Sequence, residues 1–317
     1  MTQTICGVDV SSISLEAFVG PAGPGRSFAN SPAGIDALAV FCQQHSVELV
    51  ALEATGGYER QALTLLWAQG LPVALLNPRA VRDFAKAMGM LEKTDRIDAQ
   101  IIARFAAVKG SHASPPLSAD QQHLRALVTR LRQLTQLHVE QRNQRLLVTD
   151  ATVRASINQL LKTVESQIRK LAAKIASRVA NDPLWKELDQ AFRTIKGVAD
   201  RTVATVMADL PEIGLLSNKA VSKLGGLAPL ARDSGKTHGR RPVRGGRRQL
   251  RAVLFIVAGV VSRHNPDFAA FQQRLSAAGK PKRVIRVALA HKLLVRLNAK
   301  ARDVRIQLAT ANACQTT

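Results

Sequence analysis

The sequence predicts an α/β domain followed by a mostly helical remainder. Short apolar runs alternate with helix-like segments over residues 1–110, and this alternation is typical of a sheet covered by helices. Beyond a Ser- and Pro-rich linker, apolar residues recur at helical spacing instead. The predicted parts are an α/β catalytic domain at 1–110, the linker at 111–118, a helical arm at 119–181, a mostly helical C-terminal domain at 182–308 and a flexible tail at 309–317.

Local signals predict the elements of the first domain. Apolar–polar alternation over 3–10 and 14–20 predicts two strands joined by a tight turn, and 26–29 is a candidate third strand. Ser31 and Pro32 are residue types favoured at the N-cap and the first position of a helix, so a helix is expected to begin there. The remaining predictions are strands at 47–53 and 71–76 and helices at 58–69, 79–88 and 95–109.

The arm carries two apolar seams that step by three and four residues. Such spacing predicts either a helical hairpin within the chain or an intermolecular coiled coil. We interpret the arm as an element for dimerisation and nucleic-acid contact, and a plain spacer is the alternative. The seams consist of Leu124, Leu127, Leu131, Leu134 and Leu137, followed by Ile157, Leu161, Val164, Ile168, Leu171 and Ile175.

Charge is unevenly distributed along the chain. The formal net charge is +22, yet residues 1–110 hold nine Lys/Arg and ten Asp/Glu, so the remainder carries 36 basic and 13 acidic residues. Such a basic remainder predicts binding to nucleic acid through its phosphates, and a basic solubilising surface is the alternative. Aromatic residues make up only 4% of the chain, so stacking on bases is not expected to dominate binding.

The sequence shows no C-x-x-C pair, no leader-like start and no apolar run of membrane-spanning length. Zinc, disulfides and membrane contact are therefore not expected. These features favour a cytoplasmic protein, associated with the nucleoid if it binds DNA.

Four acids predict a Mg²⁺ site. Asp9 and Glu53 each end an apolar strand-like run, while Asp95 and Asp98 lie three residues apart on one face of a predicted helix. Carboxylate oxygens suit Mg²⁺, and two such ions would clamp the attacking and leaving oxygens of a phosphoryl transfer. The alternative is structural, with Asp95 and Asp98 at a helix N-terminus and Asp9 in a turn.

Two turns of the C-terminal domain are candidates for phosphate contact. Residues 195–204 read as a glycine turn between two helices, typical of a helix-hairpin-helix, in which Lys196 and Gly197 would meet phosphate. Ser234, in a later glycine turn, is a candidate nucleophile, although an ordinary turn serine is the alternative. The cations after it, expected to contact phosphate, are Arg240, Arg241, Arg244, Arg247, Arg248 and Arg251.

Over nearly its whole length the sequence resembles the DEDD transposases of bacterial insertion sequences, a family that includes a pilin-gene invertase. In the first half the resemblance is carried by Gly7-Val8-Asp9, Leu52-Glu53-Ala54-Thr55-Gly56, Asn77-Pro78 and Lys93-Thr94-Asp95-Arg96-Ile97-Asp98-Ala99. In the second half it is carried by Ile195-Lys196-Gly197-Val198, Gly226-Leu227-Ala228-Pro229 and Ser234-Gly235.

The resemblance implies an RNase H-like (RuvC-like) first domain, in which Asp9, Glu53, Asp95 and Asp98 hold Mg²⁺. It also implies that Ser234 is the nucleophile of a second, C-terminal catalytic domain. Relatives are guided by a non-coding bridge RNA that pairs with donor and target DNA, and they work as dimers that join into tetramers. The expected reaction is cleavage and rejoining of DNA through a phosphoserine link. The alternatives are a RuvC-like nuclease that uses water and a non-catalytic nucleic-acid-binding protein.

Overall fold

The computed structural model describes residues 3–90, 95–231, 233–235, 237–239 and 241–315, and the chain divides into two compact units, Met1–Leu117 and Ser118–Thr317. Of the residues singled out above, Lys93, Thr94 and Arg240 lie outside this description, as do the side chains of Asp95, Arg96 and Ser234. Within the described residues, no helix is both long enough and apolar enough to span a bilayer.

The first unit is a five-stranded mixed sheet with four helices among its described residues. Its elements are β1 Ile5–Val10, β2 Ser14–Val19, β3 Gly25–Ala29, α1 Pro32–Gln44, β4 Leu49–Glu53, α2 Glu59–Ala68, β5 Val73–Leu76, α3 Pro78–Ala87 and α4 Asp95–Lys109. The strand order is β3-β2-β1-β4-β5, with the first three strands antiparallel and β4 and β5 parallel to β1. This topology is consistent with an RNase H-like domain.

The inner strands are buried on both sides, so helices cover both faces of the sheet. Cys6 and Val8 of β1 pack into an apolar cluster with Leu38 of α1. Ile5, on the opposite face, packs into a second cluster with Ile101 of α4. The alternation of side chains along β1 therefore fixes which of its residues face α3 and α4.

The second unit is mostly helical. Its elements are α5 Ala119–Leu147, α6 Ala151–Asn181, α7 Pro183–Arg193, α8 Asp200–Asp209, α9 Asn218–Leu224, β6 Asp233–Ser234, β7 Thr237–His238, α10 Arg248–His264, α11 Pro266–Ala277 and α12 Lys282–Gln315. Helix α12 continues through Gln315, so most of the segment predicted to be a flexible tail from Ala309 is helical. That segment is rich in alanine, the strongest helix former.

Helices α5 and α6 form an antiparallel hairpin within the chain. Contacts between them join Arg145 to Asn158 at 3.1 Å and His138 to Glu165 at 3.0 Å, and Arg178 pairs with Asp120. At the base of the hairpin, side chains from both helices join the core formed by α7, α8, α10 and α12. At the other end, Leu146 and Leu147 are 74% and 85% exposed. Association between chains through this arm stays a prediction.

Candidate active site and nucleic-acid-contact elements

Two of the predicted acids lie side by side at the carboxyl ends of β1 and β4. The parallel register pairs Val8 with Leu52, so Asp9 and Glu53 are the next residues on neighbouring strands. Because side chains alternate between the two faces of a strand, both carboxylates lie on the α4 side of the sheet. Asp9 Oδ1 accepts a hydrogen bond from the N–H of Val10 at 3.0 Å.

Close packing of α4 on β1 brings a third acid to this edge. A Cβ atom at Gly7 would overlap the carbonyl oxygen of Ala99 and the backbone nitrogen of Ala103. The helix backbone can lie this close to the strand only because residue 7 has no side chain. Asp98, one residue before Ala99, lines the same cavity as Asp9 as a result.

A buried carboxylate holds the loop after β4. Glu59 Oε2 accepts backbone N–H groups from Thr55 at 3.1 Å and from Gly57 at 2.8 Å. Such charge-assisted hydrogen bonds fix the path of the chain just beyond Glu53. The hydroxyl oxygen of Thr55 is buried and has no hydrogen-bond partner among the described residues.

Asp9, Glu53, Thr55 and Asp98 line one cavity of about 240 Å³ in the first unit. Its walls are the ends of β1 and β4, one face of α3 and one face of α4. Three carboxylates against one guanidinium, that of Arg82, leave the cavity with an excess of negative charge unless further cations enter it. The lining residues are Asp9, Val10, Glu53, Thr55, Pro78, Val81, Arg82, Ala85, Asp98 and Ile101.

Glu59 and Arg82 escape prediction from the sequence because no motif marks their part in the site, and Thr55 is marked only as one residue of the stretch 52–56. For Arg82 the sequence offers one signal, its spacing. It lies four residues after Pro78 and one after Val81, so helical periodicity places it on the face of α3 that lines the cavity. Arg82 is half-buried, and it is the single cationic side chain among the described lining residues.

The cavity offers the donor chemistry of a hydrated divalent cation. Its three acids supply carboxylate oxygens, which Mg²⁺ prefers, and the Thr55 hydroxyl could accept or donate to a metal-bound water. Among the described residues, no group of three or more His, Cys, Asp or Glu side chains is placed to hold an ion by itself. Mg²⁺ usually takes one or two carboxylates and keeps several waters, so these residues fit it as an open site. Asp95 begins α4, and its side chain lies outside the described residues.

Ser234 lies at the turn of a β-hairpin in the second unit. Strands β6 and β7 pair so that Ser234 opposes Thr237. Gly235, which follows β6, has a φ of +54°, which glycine adopts readily in tight hairpin turns. The hairpin extends toward its base, where Pro229 bridges Val243.

Two of the predicted phosphate-contacting arginines hold the base of this hairpin. Arg247 forms a two-pronged ion pair with Glu212, with both N–O distances at 2.6 Å. Burial opposes ionisation of Glu212, but the hydrogen bonds and charge of Arg247 outweigh it, so the pKa of Glu212 is lowered. Arg251 donates to the carbonyl oxygens of Gly226 and Gly245 at 3.2 and 2.6 Å.

The other arginines of this segment are less engaged. Arg241 pairs with Asp233 across the hairpin at 3.0 Å, and both side chains are partly exposed. Arg244 and Arg248 are exposed and make no ion pair within the described residues. Arg240 lies outside the described residues. Arg244 and Arg248 therefore keep their whole charge available to phosphate.

The predicted helix-hairpin-helix region has a short turn between α7 and α8. Gly197 has a φ of +98°, and a Cβ atom there would press on the backbone of Val261 in α10. Lys196 is exposed beside it. No side chain caps α8 at Ala199, and the N–H of Thr202 donates to the carbonyl oxygen of Ala199 at 2.8 Å. The assignment of this turn to DNA contact stays a prediction.

Comparison with known protein families gives matches over two segments of the chain. The transposase family of the IS110 DEDD type matches residues 6–152, and the transposase IS116/IS110/IS902 family matches residues 189–273. The chain is 27% identical over 305 residues to a pilin gene-inverting protein of Moraxella bovis, and the match covers 93% of this chain and 94% of that protein.

Two further relatives agree with these family matches. The pilin gene-inverting protein of Moraxella lacunata is 26% identical over 314 residues, covering 93% of this chain and 94% of that protein. The insertion element IS110 uncharacterized 43.6 kDa protein of Streptomyces coelicolor is 29% identical over 150 residues, covering 47% of this chain and 36% of that protein. The chain thus belongs to the IS110-family DEDD transposases, enzymes that cleave and rejoin DNA.

Proposed function

We propose that this transposase recombines DNA through a phosphoserine link at Ser234, with Mg²⁺ held by Asp9, Glu53, Asp95 and Asp98. The observation that carries the proposal is the cavity in which Asp9, Glu53 and Asp98 meet. So negative a cavity would repel a DNA phosphate unless cations lie between them. Divalent metal use is also what membership of the DEDD family implies.

The proposed chemistry conserves the phosphodiester bond energy. Ser234 Oγ attacks the scissile phosphorus, so the Oγ–P bond forms and the bond from phosphorus to the departing sugar oxygen breaks. The proton lost by Ser234 passes through solvent to that departing oxygen. A sugar hydroxyl of the new partner strand then attacks the phosphoserine and reverses these changes. Mg²⁺, when bound, supplies Lewis-acid charge that stabilises the transition state at phosphorus.

The second unit is the proposed binding surface for donor DNA, target DNA and a bridge RNA. It contains all 36 basic and 13 acidic residues that follow residue 110. Arg240, Arg241, Arg244, Arg248, Lys196 and the backbone at Gly197 are the proposed phosphate contacts. Contacts of this kind position a duplex but read no sequence. Target choice is therefore assigned to base pairing with the RNA.

The exposed end of the α5–α6 hairpin is the proposed contact between chains. Leu146 and Leu147 are large apolar side chains left in solvent by the hairpin itself. Burying them against a second copy would remove this apolar surface from water. Dimers formed in this way would join into tetramers on the two DNA duplexes.

A RuvC-like nuclease that uses water is the second candidate. The observation that favours it is the place of Ser234, because a serine beside the glycine of a hairpin turn is ordinary turn chemistry. In that case the acids would activate water, and loss of the serine hydroxyl would leave cutting intact.

The deciding experiment is a search for a covalent protein–DNA adduct. The chain would be expressed with its flanking genomic sequence, so that any guide RNA is present, and mixed with donor and target DNA in Mg²⁺. Mass spectrometry would then locate the modified residue. An adduct on Ser234 that disappears in Asp98→Asn is the result expected from the proposal, whereas cut DNA without an adduct would overturn the serine mechanism.

Two matched variants test whether these losses are specific. Thr237→Ala alters the residue opposite Ser234 in the same hairpin and is expected to keep forming the adduct, while Ser234→Ala does not. Asp83→Asn removes an exposed α3 carboxylate that pairs with Arg79 and is expected to leave cutting unchanged. If the control variants lost adduct formation and cutting as fully as Ser234→Ala and Asp98→Asn, the losses would reflect misfolding and not the removal of a catalytic group.

A further inference from the structure

The acid cavity, lined by Asp9, Glu53 and Asp98, also contains one arginine, Arg82, to which the proposed reaction assigns no role. Arg82 makes no ion pair and no hydrogen bond within the described part of the chain, although it is half-buried. Arg79, on the same helix, is exposed and instead pairs with a residue of its own helix at 3.9 Å.

Helix α3 is anchored in a way that fixes where Arg82 lies. The Asn77 side chain caps the helix by accepting the N–H groups of Arg79 and Ala80 at 2.9 and 3.3 Å. Val81 and Ala85 are buried in the apolar cluster that α3 shares with α4. The residue between these anchors on the same face is Arg82, so its position follows from the packing rather than from an ion pair.

The chemistry of a guanidinium suggests a ligand for this position. Arginine stays charged and presents a planar fork of N–H groups that matches the oxygens of a phosphate. A half-buried arginine with a purely structural task is expected to pair with a nearby carboxylate, and Arg82 forms no ion pair among the residues that the structure describes.

We propose that Arg82 is a further catalytic residue, which binds a non-bridging oxygen of the scissile phosphate in the acid cavity. The inference rests on the proposed function, since that function brings the phosphate to this cavity. The Arg82 guanidinium would hold the phosphate against the acid-lined wall and stabilise the negative charge that grows on its oxygens. It would also offset part of the repulsion between phosphate and carboxylates.

Cleavage rates test the catalytic part of this inference. The full chain with its RNA would be compared as wild type, Arg82→Ala, Arg82→Lys and the control Arg79→Ala, in single-turnover cutting of DNA. Arg82→Ala is expected to cut about 100-fold more slowly, as when one donor to a developing charge is removed. Arg82→Lys should recover part of this loss, because it keeps the charge without the fork. Arg79→Ala should stay within about twofold of wild type, because it changes only an exposed pair.

Two binding measurements, which do not depend on DNA cleavage, test whether Arg82 lies beside the metal-binding acids and whether it contacts a phosphate. Without DNA, Arg82→Ala should bind Mn²⁺ about threefold to tenfold more tightly, because one positive charge has left the cavity. With uncut DNA in Ca²⁺, the slope of log affinity against log salt should fall by about one for Arg82→Ala, as for the loss of one phosphate contact. Arg79→Ala should change neither quantity.

The outcomes separate this inference from the proposed function. If wild-type protein cuts DNA and Arg82→Ala cuts at the same rate, the inference is wrong and the serine mechanism is untouched. If wild-type protein does not cut, the Mn²⁺ affinity and the salt slope still decide the inference, and an unchanged value of either overturns it. A lowered thermal midpoint in Arg82→Ala but not in Arg82→Lys would assign the arginine a structural task and likewise overturn it.

Discussion

The absence of a side chain at Gly7 sets the distance between β1 and α4. The backbone of Ala99 and Ala103 occupies the space that a Cβ would fill, and Asp98 is carried by the same helical turn. The presence of glycine at position 7, where any other residue would add a Cβ atom, therefore allows Asp98 to lie close to the acids of the sheet.

Gly7→Ala is expected to destabilise the first unit and to abolish cutting. The added methyl group would push α4 off the sheet, and overpacking of this kind lowers the free energy of unfolding by about 1–3 kcal/mol or more. Urea unfolding and a DNA-cutting assay measure the two effects. Gly20→Ala is the control, because its Cβ would lie 3.4 Å from the nearest atom, Ala103 Cβ. Equal stability of the two variants would contradict the close approach of strand and helix.

Thr55→Val separates a structural hydroxyl from a functional one. The Thr55 hydroxyl is buried without a partner among the described residues, so a methyl group in its place should leave the free energy of unfolding unchanged or raise it. If the hydroxyl orders a water on Mg²⁺, the variant should need more Mg²⁺ for half-maximal cutting. Thermal unfolding and a Mg²⁺ titration of the cutting rate measure both quantities, and an unchanged Mg²⁺ requirement would exclude this role.

At the scale of elements, the Ser234 hairpin is held at its base by Arg247 and Arg251, while the exposed Arg244 and Arg248 form no ion pair among the described residues. Arg247→Ala leaves Glu212 half-buried without its partner, so it should lower the free energy of unfolding by about 1 kcal/mol. Arg248→Ala should leave the free energy of unfolding unchanged. It should instead weaken DNA binding and reduce the slope of log affinity against log salt concentration. Chemical denaturation and salt-dependent binding assays distinguish the two, and an equal loss of stability in both variants would be the contrary result.

The extent of these elements can be predicted from signals that lie within a few residues. Ser31 does cap α1, since its side chain accepts the N–H of Gly34, and the apolar run that ends in Glu53 is β4. The ion pair between Arg247 and Glu212 joins residues far apart in sequence, and no local pattern marks the two as partners. The short strands of the Ser234 hairpin also escape prediction, because two residues are too few for a periodic signal.

The candidate site divides in the same way. Asp9 and Glu53 could be predicted to lie together because each ends a strand, and strand ends meet at one edge of a parallel pair. The presence of Arg82 in their cavity could not, because it depends on how α3 packs against α4. Residue type and local position predict the acids, whereas tertiary packing supplies their cationic neighbour.

At the scale of the whole molecule, the acids of the proposed metal site and the excess of positive charge belong to different units of the chain. Chelation of divalent cations should therefore abolish cutting while DNA affinity changes by less than about twofold, because phosphate neutralisation by Lys and Arg needs no metal. Raising the salt concentration from about 50 to 200 mM should lower affinity by about 10³-fold. Filter binding and gel assays of the same samples measure both effects. A large loss of affinity on chelation would show that the metal site also carries binding.

The α5–α6 hairpin has a consequence for the time scale of local opening. Helix α6 has 31 residues and spans about 46 Å at 1.5 Å per residue. Only its base packs into the core, so its far half is supported by one neighbouring helix alone. Amide protons near Leu146 should exchange with solvent rapidly, through local fraying. Those near Ile175 should exchange slowly, because their exchange requires the whole unit to unfold. The hairpin would then act as a stiff rod with a soft tip, able to adapt to a partner without loosening the core.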